Sequence, residues 1–153
     1  MSKAKEKKGA SAGTDMLGFY LGALDQSQNN ILLCDRNLVI TYANSTAQKT
    51  LTTLESEIKK VLPKFSASAV VGTCIDDFPV DPSKQRRILS NPANMPHRAD
   101  IHIGPLTLSL LVTAIMSPTG EYLGNALEWA DVTEKRRLET EMSRLKASLD
   151  NAR

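Results

Sequence analysis

Few side chains in this sequence are suited to catalysis or metal binding. The 153 residues include two histidines and two cysteines, whereas metal and nucleophilic sites draw several such residues from short, recurring spacings. His97 and His102 have no cysteine beside them, and Cys34 and Cys74 are too far apart in sequence to form such a spacing. The sequence also lacks a Gly-x-Ser-x-Gly turn and a glycine-rich phosphate loop. It therefore predicts a protein that is not an enzyme and has no metal site.

Residues suited to ligand contact recur on one predicted strand, over residues 122–130. Alternation along a strand places Leu123, Asn125, Leu127 and Trp129 on the same face. Trp129 is the only tryptophan, and it is predicted either to face a ligand pocket or to close the end of the core. Asn125 needs hydrogen-bond partners if it is buried, which a polar pocket wall or a partner chain would supply.

The two histidines differ in their predicted positions. His102 lies between Ile101 and Ile103 on a predicted strand, so it points to solvent if the two isoleucines face the core. His97 comes just before that strand, where it is either an ordinary loop histidine or a residue at the pocket rim. The predicted pocket residues are Trp129, Asn125, Leu127, Ile101 and Ile103.

The elements that position these residues follow from apolar periodicity and turn residues. An amphipathic N-terminal helix is predicted over 15–26, followed by a hairpin with strands at 31–34 and 38–42. Short helices are predicted at 44–51, 55–61 and 85–89, and further strands at 99–103, 106–115 and 122–130. This order favours an α+β fold, a five-stranded antiparallel sheet with short helices over one face, because an apolar sheet face must be covered.

The C-terminal segment predicts a helix that begins directly after the last strand. Asp131 and Glu134 have the spacing of a capping box. Beyond them, an apolar seam spaced four, three and four residues apart indicates a two-stranded coiled coil. The alternatives are a single helix that packs back on the sheet or that frays. The seam consists of Leu138, Met142, Leu145 and Leu149.

The positive charge of the chain is concentrated at its start. The net charge is +2, and the lysines of residues 1–14 more than account for it. That segment is predicted to be a disordered basic arm with neither a secretory signal nor the aromatic interleaving of a nucleic-acid site. Residues 15–27 form the N-terminal helix, 28–131 the main domain and 132–153 the C-terminal helix. No apolar run approaches the roughly 20 residues of a membrane span. Because the opening residues also lack a secretory signal, we expect a cytoplasmic protein.

Four stretches of the sequence, taken together and in their order along the chain, point to a known fold. They are residues 33–44, 57–65, 71–78 and 124–133, the last of which contains Trp129. With these residues, the chain from Leu24 to Glu139 resembles the PAS sensor fold, and more narrowly the PAS domains of bacterial methyl-accepting chemotaxis proteins. The resemblance extends to the haem-binding, aerotaxis-type members, and it implies a sensory input domain.

The chain departs from this family at the positions that would bind haem. In the haem-binding members, histidines in the segment after Phe78 are candidate axial ligands, but Pro79 and Lys84 occupy the two histidine positions here. Neither supplies the axial nitrogen that haem iron needs, which leaves His97 as the first substitute and the cofactor undetermined. In those relatives the tryptophan that matches Trp129 faces the pocket, where its N–H can donate to bound gas.

Two functions are compatible with these features. In the first, a pocket ligand or cofactor shifts the strand that carries Trp129 and biases the outgoing helix through Asp131 and Thr133. In the second, side chains fill the pocket, and the domain serves for dimerisation or as a scaffold. Both predict a homodimer through the terminal helices, and the resemblance implies a downstream chemoreceptor signalling domain.

Overall fold

The computed structural model describes residues 15–77, 87 and 91–151. Five strands in this part of the chain form one antiparallel sheet in the order β2-β1-β5-β4-β3. They are β1 (Asn30–Asp35), β2 (Ile40–Ala43), β3 (His97–Ile103), β4 (Leu106–Met116) and β5 (Tyr122–Asp131). The α+β fold class predicted from the sequence is confirmed.

Besides the single helical residue Arg87, three helices lie in the described part of the chain. Helix α1 covers residues 15–26, as predicted, and short 3-10 turns lie between α2 and β3. The predicted basic arm over 1–14 lies outside the described residues, as does the predicted helix over 85–89 apart from Arg87. The other helices are α2 (Ser45–Lys59) and α3 (Thr133–Asn151). The turns are Ala67–Ala69, Ile75–Asp77 and Pro92–Asn94.

Helix α2 is continuous, so the prediction of two short helices over 44–51 and 55–61 is wrong. Leu51 and Ile58 lie on the same helical face on either side of the predicted break, and both are buried in the core. The threonines that follow Leu51 have only moderate helix propensity. Burial of the apolar face against the sheet outweighs that local preference.

The turn between β1 and β2 is longer than predicted, because Leu38 and Val39 precede β2. The Asp35 Oδ1 atom accepts hydrogen bonds from the backbone N–H of Asn37 at 2.9 Å and of Val39 at 3.1 Å. Leu38 adopts a φ of 65°, which costs a non-glycine residue about 1–2 kcal/mol. Its side chain is 3% exposed, and burial of a leucine contributes about 1.5–3 kcal/mol, which offsets this cost.

The core lies between the inner face of the sheet and α2. Val112, Leu127 and Leu32 stand opposite one another across β4, β5 and β1, and all three are buried. Ile58 of α2 and Val70 belong to the same apolar cluster, each 1% exposed. Close packing of this kind fixes the sheet relative to α2, since displaced side chains would leave voids.

Candidate functional site

An apolar cavity of about 90 Å³ lies between the sheet and the elements that cover it. Trp129 and Leu127 of β5 border it, together with Ile101 and Ile103 of β3. Aliphatic side chains of the other strands, of α2 and of the turns after it form the rest of the described lining. The structure therefore brings four of the five predicted pocket residues to one place. That they bind a ligand stays a prediction.

Asn125, the fifth predicted pocket residue, is not among the described residues that border this cavity. It is completely buried, and its Oδ1 atom accepts a hydrogen bond from the Tyr122 hydroxyl at 2.9 Å. Its side chain also hydrogen-bonds the Cys34 thiol, whose pKa is raised to about 11 by burial. Asn125 thus finds partners within its own chain, and its placement in the pocket wall is corrected.

Trp129 carries an unsatisfied polar atom. Its side chain is 7% exposed, and its Nε1–H has no hydrogen-bond partner among the described residues. The residue opposite it in β1, Asn30, donates from Nδ2 to the Trp129 backbone oxygen at 3.0 Å. The Oδ1 atom of Asn30 has no hydrogen-bond partner in the described part of the chain. A buried polar group without a partner costs about 1–3 kcal/mol.

The two histidines lie on opposite faces of β3. His97 is the first residue of the strand rather than part of the preceding loop, and it is half-buried opposite Val112. It lies on the same face of β3 as Ile101 but does not border the cavity. His102 is exposed, with Nδ1 at 3.3 Å from the Thr107 hydroxyl, so it points away from the core as predicted.

The described residues do not fit a haem. The cavity of about 90 Å³ is several times smaller than the roughly 300–1,000 Å³ of pockets for ligands of that size class. Neither described histidine borders the cavity, and within the described residues no His, Cys, Asp and Glu side chains cluster as a metal site requires. Pro79 and Lys84, at the family's histidine positions, lie outside the described residues.

Strand β5 leads from the cavity directly to the base of α3. Asp131 Oδ1 accepts hydrogen bonds from the Thr133 backbone N–H at 3.0 Å and from its hydroxyl at 2.5 Å. The same Thr133 Oγ1 accepts the backbone N–H of Thr107 in β4 at 2.9 Å. Val132 donates its N–H to the Thr107 oxygen, also at 2.9 Å. The two predicted relay residues are therefore joined to each other and to the neighbouring strand.

The capping box predicted at this junction is only half correct. Asp131 does hold the first turn of α3 through Thr133. The Glu134 carboxylate instead pairs with Arg137 on the next turn of the helix. An arginine three residues ahead offers a charged donor, which is a stronger partner for a carboxylate than a neutral backbone N–H.

A second link joins α3 to β3, and sequence reasoning did not find it. The Arg136 guanidinium donates from Nε to Asp100 Oδ2 at 2.8 Å and from Nη2 to Oδ1 at 3.2 Å. This two-point contact lowers the pKa of the Asp100 carboxyl below its usual value. Asp100 directly precedes Ile101 in β3. The two side chains lie on opposite faces of the strand, and Ile101 borders the cavity. The residues of the pair are far apart in sequence, so no local pattern predicts it.

Helix α1 is held by a polar cluster that the sequence also did not reveal. The Asp25 carboxylate accepts hydrogen bonds from the Ser45 N–H at 2.9 Å and its hydroxyl at 2.7 Å, and from the Tyr42 hydroxyl at 3.3 Å. The hydrogen bond from Ser45 lowers the pKa of Asp25. Asn44 Nδ2 donates to the Leu24 oxygen at 2.9 Å. The end of α1 is thereby fixed to the start of α2.

The predicted seam of α3 is exposed along its whole length. Its members are 49% to 71% exposed, so α3 does not pack back on the sheet along this seam. The N-terminal helix likewise exposes large apolar side chains, with Phe19 at 68%. The seam residues are Leu138, Met142, Leu145 and Leu149. No helix in the described ranges has the length and apolar character that a membrane crossing requires.

Comparisons with known proteins agree with this architecture. A scan against models of protein families gives no match. The chain is 37% identical over 123 residues to the methyl-accepting chemotaxis protein McpB of Pseudomonas aeruginosa, covering 80% of this chain and 18% of McpB. The chain therefore spans less than a fifth of the length of that relative.

Solved structures define the family. A structure of the Aer2 receptor from Vibrio cholerae, described as a dual PAS-heme oxygen sensor, is 36% identical, with a TM-score of 0.65 over 68% of this chain and 94% of that chain. The PAS domain of Bordetella pertussis BvgS, at 21% identity and a TM-score of 0.54, covers 88% of this chain and 98% of its own, and shows the fold alone. The chain belongs to the PAS domain family. Within that family it is a PAS domain of the chemotaxis-receptor type.

Proposed function

We propose that the contents of the cavity bias the position of α3, so that the domain acts as the non-enzymatic sensory input of a chemotaxis receptor. The observation that carries the proposal is the continuity of β5. Trp129 borders the cavity, and Thr133, which begins α3, is held by Thr107. A displacement of Trp129 therefore acts on the base of the helix within a few residues. A cavity ligand that binds one of two positions of this strand and helix more tightly shifts the protein toward that position.

Strand β3 supports the same proposal from the other end of the sheet. Ile101 borders the cavity, and its neighbour Asp100 holds Arg136 of α3. An occupant that moved β3 relative to β5 would pull on the helix base at two separate points. Because the helix is attached to the sheet at two points, it cannot pivot freely about either one. A small relative movement of the two strands therefore changes the direction of the helix.

We further propose that the protein forms a homodimer through α3 in the cytoplasm. An exposed seam with a spacing of four, three and four residues is suited to a two-stranded coiled coil. Ion pairs on the helix surface, Glu134 with Arg137 and Glu141 with Arg144, leave the apolar seam itself free of charge. In a longer receptor, such a helix would continue toward the downstream signalling domain, as expected of a relative of McpB.

One observation favours a second function. The cavity is small and almost entirely aliphatic, as in a domain whose interior is filled by its own side chains. In that case the domain dimerises receptor chains or serves as a scaffold, and occupancy of the cavity has no effect on α3. The two functions therefore differ in one measurable property, the response of α3 to a cavity occupant.

Xenon tests the sensory proposal, because it enters dry apolar cavities without needing a particular chemistry. Methyl resonances of Ile101 and Ile103 report occupancy, and backbone N–H resonances at the start of α3 report the response. We expect xenon to shift both in the unaltered protein and to shift the helix less in Thr133→Val. Thr140→Val is the matched control, since within the described ranges the Thr140 hydroxyl donates only to the backbone oxygen of Arg136 in the same helix. If the methyl resonances report xenon in the cavity and the α3 resonances do not change, the sensory function is refuted and the scaffold function remains.

The dimer is tested independently of the cavity. Leu145→Lys places a charge in the seam and is expected to give a monomer in sedimentation experiments. Lys146→Glu, a charge change at a neighbouring exposed position, is expected to leave the dimer intact. A protein that is monomeric without any substitution would contradict dimerisation by this chain alone.

A further inference from the structure

The outer face of the sheet, opposite α2 and the cavity, is largely exposed in the described part of the chain. Residues adjacent to the cavity-lining positions point to this face, because side chains alternate along a strand. Leu111 is half-buried there, and Arg98 and Glu128 on the neighbouring strands are exposed. A groove of about 570 Å³ extends over these residues to Arg136 at the base of α3. The outer face therefore has room for a partner.

Three residues of this face form a row across the sheet. Arg98 of β3 stands opposite Leu111 of β4, and Leu111 stands opposite Glu128 of β5. Neighbouring strands lie about 4.8 Å apart, so the two charged residues are on the order of 10 Å from each other. Neither has an ion-pair partner among the described residues, whereas Asp100 and Arg136 beside them are paired. The row presents a positive, an apolar and a negative group in that order.

Such a row is complementary to a copy of itself. When two sheets pack face to face about a two-fold axis that runs parallel to the strands above Leu111, the order of the row is reversed in the second copy. Arg98 then stands opposite Glu128 of the partner subunit, and the two leucines stand opposite each other. A two-fold axis that runs across the strands would instead place Arg98 opposite Arg98 of the partner subunit, which is repulsive.

The direction of α3 agrees with the first of these two arrangements. An axis parallel to the strands keeps β5 in the same direction in both copies. Both α3 helices, which begin at Thr133 just after β5, then leave the dimer at the same end. A parallel coiled coil of the exposed α3 seams requires this orientation, whereas an axis across the strands would send the helices to opposite ends. Charge and helix direction therefore favour the same arrangement.

We propose that the outer face of the sheet is an interface to a second copy of this chain, in which two ion pairs between Arg98 and Glu128 flank a contact between the Leu111 side chains. The proposal rests on the proposed dimerisation through α3 and adds a second contact surface to it. Leu110 and Leu127, which directly precede Leu111 and Glu128, border the cavity on the other face of the same strands. A change in the cavity that moves β4 or β5 therefore acts on the partner subunit directly as well as through α3.

Complementary charge reversals test this interface. Arg98→Glu leaves only negative charges in the row, and Glu128→Arg leaves only positive ones, so each variant repels a copy of itself. In a heterodimer of the two variants, every facing pair is again opposite in charge. Recovery in the mixture cannot arise from an interaction within one chain. Lys59→Glu is the matched control, since Lys59 is an exposed residue of α2, on the other side of the sheet.

Sedimentation equilibrium measures the dissociation constant of the dimer. We expect Arg98→Glu and Glu128→Arg each to weaken the dimer by about three- to thirtyfold, because two exposed ion pairs are lost at once. An equimolar mixture of the two variants is expected to recover the affinity of the unaltered protein. Lys59→Glu is expected to leave that affinity unchanged.

Two results would overturn the outer-face interface while leaving the coiled coil intact. They are a mixture that dimerises no better than either variant alone, and charge reversals that weaken the dimer no more than Lys59→Glu. If Leu145→Lys still abolishes the dimer in these cases, dimerisation through α3 stands and only the sheet contact is wrong. A monomeric unaltered protein would refute both contacts. The xenon response of α3 is measured separately, so the sensory function does not depend on these outcomes.

Discussion

Replacement of Asn44 by alanine should destabilise the domain more than any other polar substitution outside the cavity. Asn44 is 0% exposed. Its Oδ1 accepts the N–H groups of Ile31 at 3.0 Å and Ala47 at 2.9 Å. Its Nδ2 donates to the backbone oxygens of Leu24 and Asn29, both at 2.9 Å. One side chain thereby joins α1, β1 and the start of α2.

The size of the effect follows from these contacts. Loss of the N-cap of α2 costs about 0.5–2 kcal/mol. The Ile31 N–H is left buried without its partner, which costs about 1–3 kcal/mol. Together with the two abandoned carbonyl oxygens, we expect Asn44→Ala to lower the free energy of unfolding by about 3–5 kcal/mol, out of the 5–15 kcal/mol typical of a domain.

Urea denaturation followed by the fluorescence of Trp129 measures this directly, as a lower midpoint with an unchanged slope. Asn91→Ala is the matched control: Asn91 is exposed, and among the described residues its side chain accepts only the Ala93 N–H, at 3.0 Å. A loss of about 0.5–1 kcal/mol is therefore expected. If Asn44→Ala lost no more stability than Asn91→Ala, the assignment of Asn44 as the joint between three elements would be refuted.

Three further predictions follow from the junction and the core. Thr133→Val removes the acceptor of the Thr107 N–H and should lower the free energy of unfolding by about 1–2 kcal/mol in thermal melts. Because Arg136 lowers the pKa of Asp100, their pairing stabilises the fold above the ordinary carboxyl pKa and is lost as the pH falls through the lowered value. Asp100→Asn should therefore be less stable than the unaltered protein near neutral pH, and denaturation curves of the two should converge below pH 3.8. Burial raises the pKa of the Cys34 thiol to about 11 and leaves the residue only 3% exposed to a reagent. Mass spectrometry should therefore show its alkylation at neutral pH to be at least about two orders of magnitude slower than that of a free thiol.

The sequence predicts the sheet well, because strand alternation and turn residues are local signals. The order of the strands, the inward face of β3, the inward positions of Leu127 and Trp129 and the outward direction of His102 were predictable from a period of two residues. Leu123 was predicted on the same face as Trp129 but is 47% exposed. Asp131 was also correctly identified as the residue that holds the start of α3. Each of these features depends on residues that are close together in the chain.

The features that the sequence did not predict depend on contacts between distant segments. The pair of Asp100 and Arg136 and the cluster around Asp25 exist only once the sheet has brought their elements together. Leu38 adopts a positive φ that is unfavourable for a residue with a side chain, and burial of that side chain in the core offsets the cost. Asn125 was placed in the pocket because it is polar on an inward face, whereas the partner it found, Tyr122, lies on the same strand.

The positions of the two chain ends of the sheet have a consequence for how such a domain is used in longer proteins. Asn30, which begins β1, stands opposite Trp129 near the end of β5, so the polypeptide enters and leaves the fold side by side. Modules whose entry and exit adjoin are well suited to insertion into an existing gene. A duplicated copy could be added in tandem without changing the spacing of the segments on either side. The same geometry would allow several such domains to follow one another along a chain, each responding to its own stimulus and acting on the same C-terminal helix.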